Sequence, residues 1–358
     1  MLSTNIDANY FIKKTCPQVY LVANQNCFDM PFSTSWHYGN EIMTAAQNFT
    51  SDPTDARRMF LAACLDARLP VSSFESQPSN ASEASVHVDI AKAGNNDAST
   101  VIVLCPGARL TDGLCASGLQ TSLLRAGLQI ELPTSIGLIL VHTITPFEFR
   151  PVETKELIET NTISVRWEDT LLAAAEFRFN EKKQNTETAT PKETERQRWC
   201  RHVLSNIADD SLSQAKQLIF LDVQTGSGPY GEAEVISCQM PGSSSEQRAR
   251  ALFGAYAVAG EVELTNTLGP LAQGLSAALP NQEIISVVVE FGCYSLTTVL
   301  DGLLSRHERS IASGDRLDGF FYPETEEWRE LIWEATADLL RLGFRSLEQD
   351  ELGTRHNF

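Results

Sequence analysis

The chain has 358 residues, with 28 Lys and Arg against 46 Asp and Glu, which gives a formal net charge of −18. This balance argues against a nucleic-acid-binding protein, because phosphate binding needs clustered cations, and equally against docking on an anionic membrane surface. Apolar residues make up 42% and charged residues 21%, as in an ordinary soluble globular protein. The length allows roughly two domains or one large α/β domain. Either can bury a hydrophobic core that is stable without disulfide bonds or structural metal ions.

The N-terminus, MLSTNIDANYFIKK, lacks the basic segment and apolar run of a secretory signal. No stretch of about 18 apolar residues is present, so we expect no membrane span. The eight cysteines are scattered singly, without a Cys-x-x-Cys pair, which argues against zinc-ribbon and redox motifs. Dispersed cysteines in a chain of this length favour a cytoplasmic protein with buried, reduced thiols.

Residues 1–49 show no clear periodicity, and we expect a partly ordered N-terminal extension there. A single α/β domain is expected over residues 50–350. It begins with a helix whose N-cap is Asp52 and whose first position is Pro53. Small and polar residues predict loops at 76–83 and 92–99. The polar segment 180–198 is interpreted as a solvated loop or a disordered insertion.

Apolar runs predict six buried strands, at 86–90, 101–105, 138–142, 217–223, 234–238 and 284–291. Four of these runs are almost continuously apolar, which is typical of a largely parallel sheet covered on both faces. Helical patterns lie between and after them, at 113–127, 246–256, 267–279, 295–312 and 325–347. The expected fold is therefore α/β, with a largely parallel twisted sheet and helices on both faces.

In such a sheet, ligands bind at the carboxyl ends of the strands, where several residues here are notable. The turn around Gly107 is either an anion-binding loop before a helix or a plain tight turn. Gly226 begins a G-x-G-x-x-G pattern, but this pattern runs into a strand, whereas the dinucleotide fingerprint must open a helix. Glu290 ends an apolar strand, so it is either paired or exposed in a cleft. His142 also ends a strand, and a neutral core histidine bonded to the backbone is the favoured interpretation.

These strand ends resemble, in order, a bacterial branch of the zinc carboxypeptidase superfamily that is known mainly as a domain of unknown function. The resemblance extends over about residues 50–347. Its most specific segments are TGSGPYGEAEVI (225–236), VVVEFG (287–292) and FYPETEEW (321–328). It implies a mixed, carboxypeptidase-like sheet and a zinc-dependent metallopeptidase or carboxypeptidase activity.

In that superfamily, a His-x-x-Glu turn and a later His hold one zinc, and a Glu at the end of a later strand is the general base. Carried onto this chain, the two positions of the turn are Arg109 and Asp112, and the later His position is Gln224. The base position is Glu290. The family's Asn-Arg pair, which binds the substrate carboxylate, is represented by Arg166 preceded by Val165.

These replacements oppose zinc binding, because a guanidinium cannot be deprotonated and a neutral amide is a poor zinc ligand. No bound cofactor is therefore expected. We hypothesise that Arg109 takes the electrostatic place of the metal between Asp112 and Glu290. A solvated arginine on a degenerate loop is the plainer alternative.

Three functions remain open at this point. The first is a non-catalytic pseudoenzyme that uses Arg109, Arg166 and Gln224 to bind a peptide or a small carboxylate. The second is an active zinc-dependent peptidase or amidohydrolase with a rearranged metal site built from His142, Asp112, Asp222 or Glu290. The third is a metal-free enzyme that uses Glu290 as its base. A basic partner for the acidic surface is also conceivable, but neither a nucleic acid nor a membrane is expected.

Overall fold

The fold is taken from a computed structural model, which describes residues 35–38, 41–76, 86–107, 110–142, 202–203, 205–257, 279, 281–294 and 321–355. All the described residues belong to one compact unit, Thr34–Phe358. A short antiparallel pair, β1 (Ser35–Tyr38) and β2 (Glu41–Thr44), precedes the main sheet.

Within the described residues, the main sheet has eight strands, in the order β3-β4-β6-β5-β7-β10-β8-β9. The four central strands, β6, β5, β7 and β10, are mutually parallel, whereas β3, β4 and β8 join through antiparallel pairings. Their bounds are β3 Val71–Ser76, β4 Val86–Gly94, β5 Thr100–Pro106, β6 Ile136–His142, β7 Gln217–Ser227, β8 Ala233–Ser237, β9 Tyr256–Ala257 and β10 Glu283–Tyr294.

Four α-helices are described: α1 (Pro53–Asp66), α2 (Leu110–Arg125), α3 (Ser244–Phe253) and α4 (Glu326–Arg355). The carboxylate of Asp52 accepts a hydrogen bond from the Asp55 backbone N–H at 2.8 Å, so it caps α1 as expected. None of the described helices combines the length and apolarity that crossing a bilayer requires.

The two faces of the sheet bury separate cores. On one face, α1 to α4 pack over alternate side chains of the central strands, such as Leu104, Leu140 and Leu221. On the other face, residues 202–203 and 205–212, which are helical and end in a π-helical turn, cover Val103 and Phe220. The expected α/β sheet with helices on both faces is therefore confirmed.

All six predicted strands are present, and the differences lie at polar positions. The edge strand β3 was not predicted, since its sequence VSSFES is too polar to show a buried face. Strand β4 continues to Gly94, so the loop predicted from residue 92 begins later. Helix α3 ends at Phe253 because Gly254 adopts a left-handed conformation, with φ of 66°. The predicted helices 267–279 and 295–312 and the loop 180–198 lie outside the described residues, apart from Leu279.

Packed residues also occur before residue 50. The 3-10 helix Ala45–Asn48 contacts α2 and α4, and Ala45 and Phe49 are buried in the first core. The Phe49 ring lies so close to Gly118 of α2 that a Cβ at that glycine would overlap it. This short segment is therefore part of the folded unit.

Candidate functional site

The strand order reverses between β5 and β7. From β5 the chain returns through α2 to β6 on one side, whereas β7 lies on the other side of β5, with β10 beyond it. In open α/β sheets, such a reversal leaves a crevice at the carboxyl ends of the strands, where ligands bind. Gly107, Asp112 and Gln224 lie at this point of the sheet.

Asp112 lies in the first turn of α2 and is 1% exposed. Its Oδ1 accepts hydrogen bonds from the backbone N–H of Thr225 at 2.9 Å and from the Thr225 hydroxyl at 3.0 Å. That hydroxyl also lies 3.2 Å from the hydroxyl oxygen of Thr111. A carboxylate at a helix N-terminus is favoured by the helix dipole, and these bonds compensate for its burial. Asp112 therefore joins the start of α2 to the end of β7.

Gly107, just after the end of β5, lies in contact with Asp112 and Gln224. A Cβ placed on Gly107 would lie 2.5 Å from Asp112 Oδ2 and 2.9 Å from Gln224 Cγ, closer than real side chains approach. The absence of a side chain therefore lets Asp112 and Gln224 close over this position.

Glu290 lies beside Gln224, as its in-register neighbour on the parallel strand β10. The Glu290 carboxylate packs directly against Gly226 of β7, in the space that a Cβ would fill. On its other side, Glu290 faces Glu234 of β8 in antiparallel register. Gln224 thus lies beside Glu290 and approaches Asp112 across Gly107, whereas Arg109 and Arg166 lie outside the described residues.

Thr225 and Glu234 were not singled out from the sequence. Thr225 is adjacent to Gln224, and a threonine at this position does not by itself indicate a functional residue. The apolar pattern places Glu234 only within a strand, although its position in the alternating segment AEVIS indicates an exposed carboxylate.

Asp222 lies deeper, buried on the face opposite α2, next to Cys105 of β5 in register. Burial, with the nearby Asp222 carboxylate, raises the pKa of the Cys105 thiol well above its ordinary value. The same two causes raise the pKa of Cys238 to about 12. Both thiols are therefore protonated at neutral pH, and neither is a nucleophile or a ready metal ligand.

His142 lies elsewhere, on the face of the sheet that packs against α1 and α2. Its ring stacks on Phe60 with centroids 4.5 Å apart, and its Nε2 lies 2.9 Å from the Ser117 hydroxyl oxygen. Asp222 lies two residues after Phe220 on β7 and therefore shares its face, which belongs to the other core, so His142 and Asp222 face opposite sides of the sheet. These two side chains therefore cannot bind the same metal ion in this arrangement.

The described residues at the crevice, Asp112, Gln224 and Glu290, do not form a set of zinc ligands. Asp112 is enclosed by Thr225 and Gly107, and Gln224 offers an amide where zinc prefers imidazole or thiolate. Over the described part of the chain, no three His, Cys, Asp or Glu side chains are grouped so that they could hold a metal.

The G-x-G-x-x-G segment that starts at Gly226 connects β7 to β8 and does not open a helix. The segment therefore runs into a strand, as its sequence indicates. The glycines instead allow the chain to cross the end of β10. At this crossing, the carbonyl of Gly292 accepts hydrogen bonds from Gly231 N–H at 2.8 Å and from the Trp328 indole at 2.9 Å.

Known structures with a similar fold differ widely from this chain in sequence. A protein from Shewanella denitrificans OS-217, provisionally assigned as carboxypeptidase A, is 12% identical with a TM-score of 0.46, and the match covers 83% of this chain and 70% of that one. The glutaminyl cyclase of Fimbriiglobus ruber is 10% identical with a TM-score of 0.40, covering 84% and 91%. A Zn-dependent exopeptidase from Parabacteroides distasonis is 9% identical with a TM-score of 0.36, covering 83% and 94%.

At the level of sequence, no curated protein matches the chain. The motifs predicted a family of unknown function, and this prediction is confirmed. The model of the family described as "Protein of unknown function (DUF2817)" matches residues 49–156 and 194–335. Because the match spans more than half of the sequence, the chain belongs to this family.

Proposed function

We propose that this chain is a carboxypeptidase-like pseudoenzyme that binds a peptide or a small carboxylate at the crevice between β5 and β7, without zinc-dependent hydrolysis. The observation that carries the proposal is Gln224, which stands at the strand end where the superfamily has an imidazole. Its neighbours in space are Gly107 and Glu290. A carboxamide in this place neither holds zinc nor activates a water molecule.

The other two ligand positions support the same conclusion. Arg109 supplies a permanent cation, which repels a dication and cannot donate a lone pair. Asp112 is retained as an acid but is buried and bonded to Thr225. A catalytic zinc needs about three protein ligands, and one enclosed carboxylate does not supply them.

The proposed ligand follows from the charges that remain. Arg109 and Arg166 offer guanidinium groups, which bind carboxylates with two parallel hydrogen bonds. Glu290 and Gln224 offer acceptors for an N–H group of the same ligand. A peptide with a free C-terminal carboxylate combines both features, and so does a small N-acylated amino acid.

The first test is metal content. After incubation with excess zinc and dialysis, elemental analysis is expected to find much less than one zinc per chain. The variant Arg109→His/Asp112→Glu/Gln224→His restores the superfamily's ligand types and is expected to bind about one zinc, with Gln224→His alone as the matched control. One tightly bound zinc in the wild-type protein would overturn the proposal in favour of an active metallopeptidase with a rearranged site.

The second test is ligand binding. Calorimetry with benzoyl-glycyl-phenylalanine and with its C-terminal amide separates recognition of the carboxylate from recognition of the rest of the ligand. We expect the free acid to bind and remain uncleaved, the amide to bind at least tenfold more weakly, and Arg166→Gln to remove this preference. Cleavage in the presence of a chelator, abolished by Glu290→Gln, would show a metal-free hydrolase instead.

A further inference from the structure

The environment of Asp112 suggests a second role for this acidic position. Each oxygen of a carboxylate offers about two lone-pair sites. Oδ1 of Asp112 accepts both the backbone N–H and the hydroxyl of Thr225, at 2.9 and 3.0 Å. Oδ2 is packed against the α-carbon of Gly107. Both oxygens therefore face protein groups, and Oδ1 has no lone pair left for a cation.

We propose that Asp112 is a positioning residue that holds the end of β7 through Thr225, and so fixes the crevice without a metal. The proposal rests on the proposed function, since it explains how the ligand site keeps its shape when no zinc joins its walls. Thr225 is the group through which Asp112 acts.

The geometry of β7 makes Thr225 a suitable group for this purpose. Successive side chains of a strand point to opposite faces. Thr225 points towards α2 and is completely buried, while its neighbours Gln224 and Gly226 face the side that carries Glu290. Fixing Thr225 on one face therefore fixes the two crevice residues on the other.

The length of the side chain is consistent with this role. Aspartate is one methylene shorter than the glutamate of the superfamily, so its carboxylate stays close to the helix terminus. From there it reaches the backbone N–H of Thr225, which is part of the adjacent strand. A metal ion bound through Oδ1 would compete with these bonds for the same lone pairs.

A double-mutant cycle tests the connection between the two side chains. Thr225→Val removes the hydroxyl, Asp112→Asn removes the charge, and the double variant carries both changes. Thr225→Val is expected to lower the thermal midpoint by about 3 °C in the wild type and by much less in Asp112→Asn, because the bond is already weakened there. Thr225→Ser keeps the hydroxyl and is expected to rescue most of the loss.

Thr121→Val provides the matched control. Thr121 is also completely buried, but its hydroxyl has no hydrogen-bond partner among the described residues, so this substitution is expected to leave the midpoint unchanged or raise it. Equal effects of Thr225→Val in both Asp112 backgrounds would overturn the proposal.

Ligand binding separates positioning from a purely structural role. At a temperature where all variants are folded, Thr225→Val is expected to weaken binding of benzoyl-glycyl-phenylalanine about fivefold, with rescue by Thr225→Ser. If Thr225→Val lowers the thermal midpoint but leaves the affinity for this ligand unchanged, the hydrogen bonds between Asp112 and Thr225 serve stability alone. That result would overturn the positioning role.

The zinc-binding triple variant distinguishes failure of this proposal from failure of the proposed function. In the zinc-loaded triple variant, Thr225→Val is expected to change the thermal midpoint by less than half as much as in the wild type. If the double-mutant cycle shows no coupling between Asp112 and Thr225, only the positioning role of Asp112 is refuted. Stoichiometric zinc in the wild-type protein would refute the proposed function as well.

Discussion

The carboxylate of Glu290 packs on the α-carbon of Gly226, on the neighbouring parallel strand. The glycine therefore accommodates the acid, and its φ lies outside the left-handed region, so the close approach and not the backbone conformation requires a glycine there. This contact places Glu290, the predicted general-base position, at the wall of the crevice.

Gly226→Ala is expected to lower the free energy of unfolding by about 1–3 kcal/mol, because the new methyl group displaces the Glu290 carboxylate. Glu290→Ala removes that carboxylate, so Gly226→Ala should be much milder in this background. Urea unfolding of the four proteins measures the difference. If Gly226→Ala has the same effect in both backgrounds, the contact does not limit the space at this glycine.

Gly292→Ala is expected to be more damaging, at about 3 kcal/mol or more, because the new Cβ would overlap the carbonyl group of Pro229 and the backbone of Gly228. Backbone atoms cannot rotate away as the Glu290 side chain can. Gly228→Ala is the matched control, since its Cβ would lie 3.3 Å from the Gly292 α-carbon and needs only a small shift. A larger effect for Gly228→Ala in urea unfolding would contradict this ranking.

Much of the fold could be predicted because buried parallel strands leave continuous apolar runs in the sequence. The edge strand β3 could not, because neither face of VSSFES is uniformly apolar and its place is fixed by pairing with β4. The boundary of β4 was misplaced for a similar reason. Lys92 and Gly94 look like loop residues, but they pair with Ile139 and Gly137 of β6.

Part of the candidate functional site could be predicted from the sequence. Parallel topology alone brings the ends of β5, β7 and β10 to one edge of the sheet. This suffices to place Asp112, Gln224 and Glu290 near one another. It does not reveal Thr225, because a hydrogen bond between a strand end and a helix start depends on coordinates that no local pattern encodes. The hypothesis that Arg109 lies between Asp112 and Glu290 stays a prediction.

A partly buried ion pair joins α1 to the sheet beside His142. The Arg57 guanidinium donates two hydrogen bonds to Asp89, at 2.6 and 3.0 Å, and Asp89 is completely buried. Arg57→Met is expected to lower the free energy of unfolding by about 2 kcal/mol, because it leaves a buried carboxylate without its cation. The partial exposure of Arg57 keeps this below the value for a fully buried pair.

The adjacent arginine on α1 gives the matched control. Arg58 pairs with Asp55 at the surface, so Arg58→Met should change the free energy of unfolding by less than about 0.5 kcal/mol. The double variant Arg57→Met/Asp89→Leu is expected to recover part of the loss, since no charge is then buried. Equal effects of the two arginine substitutions in chemical denaturation would argue against a contribution from burial.

His142 predicts how stability depends on pH. Burial lowers its pKa from 6.5 to about 4, and the nearby Asp89 only partly opposes this shift. Between pH 4 and 6.5 the unfolded chain therefore binds a proton at this position that the folded chain does not, so stability rises with pH over this window. The contribution is fully present above pH 6.5, and roughly 3 kcal/mol of it is lost as the pH falls to 4.

Urea unfolding from pH 4 to 7.5 checks this expectation. His142→Gln cannot take up the proton, so its stability relative to the wild type should improve steadily as the pH falls, even if it is less stable at pH 7.5. His202→Asn, at an exposed histidine that contacts Phe74, is the control for removing an imidazole outside the core. Parallel curves for the wild type and His142→Gln would mean that His142 is not held neutral by the fold, and that the stacking on Phe60 tolerates an imidazolium.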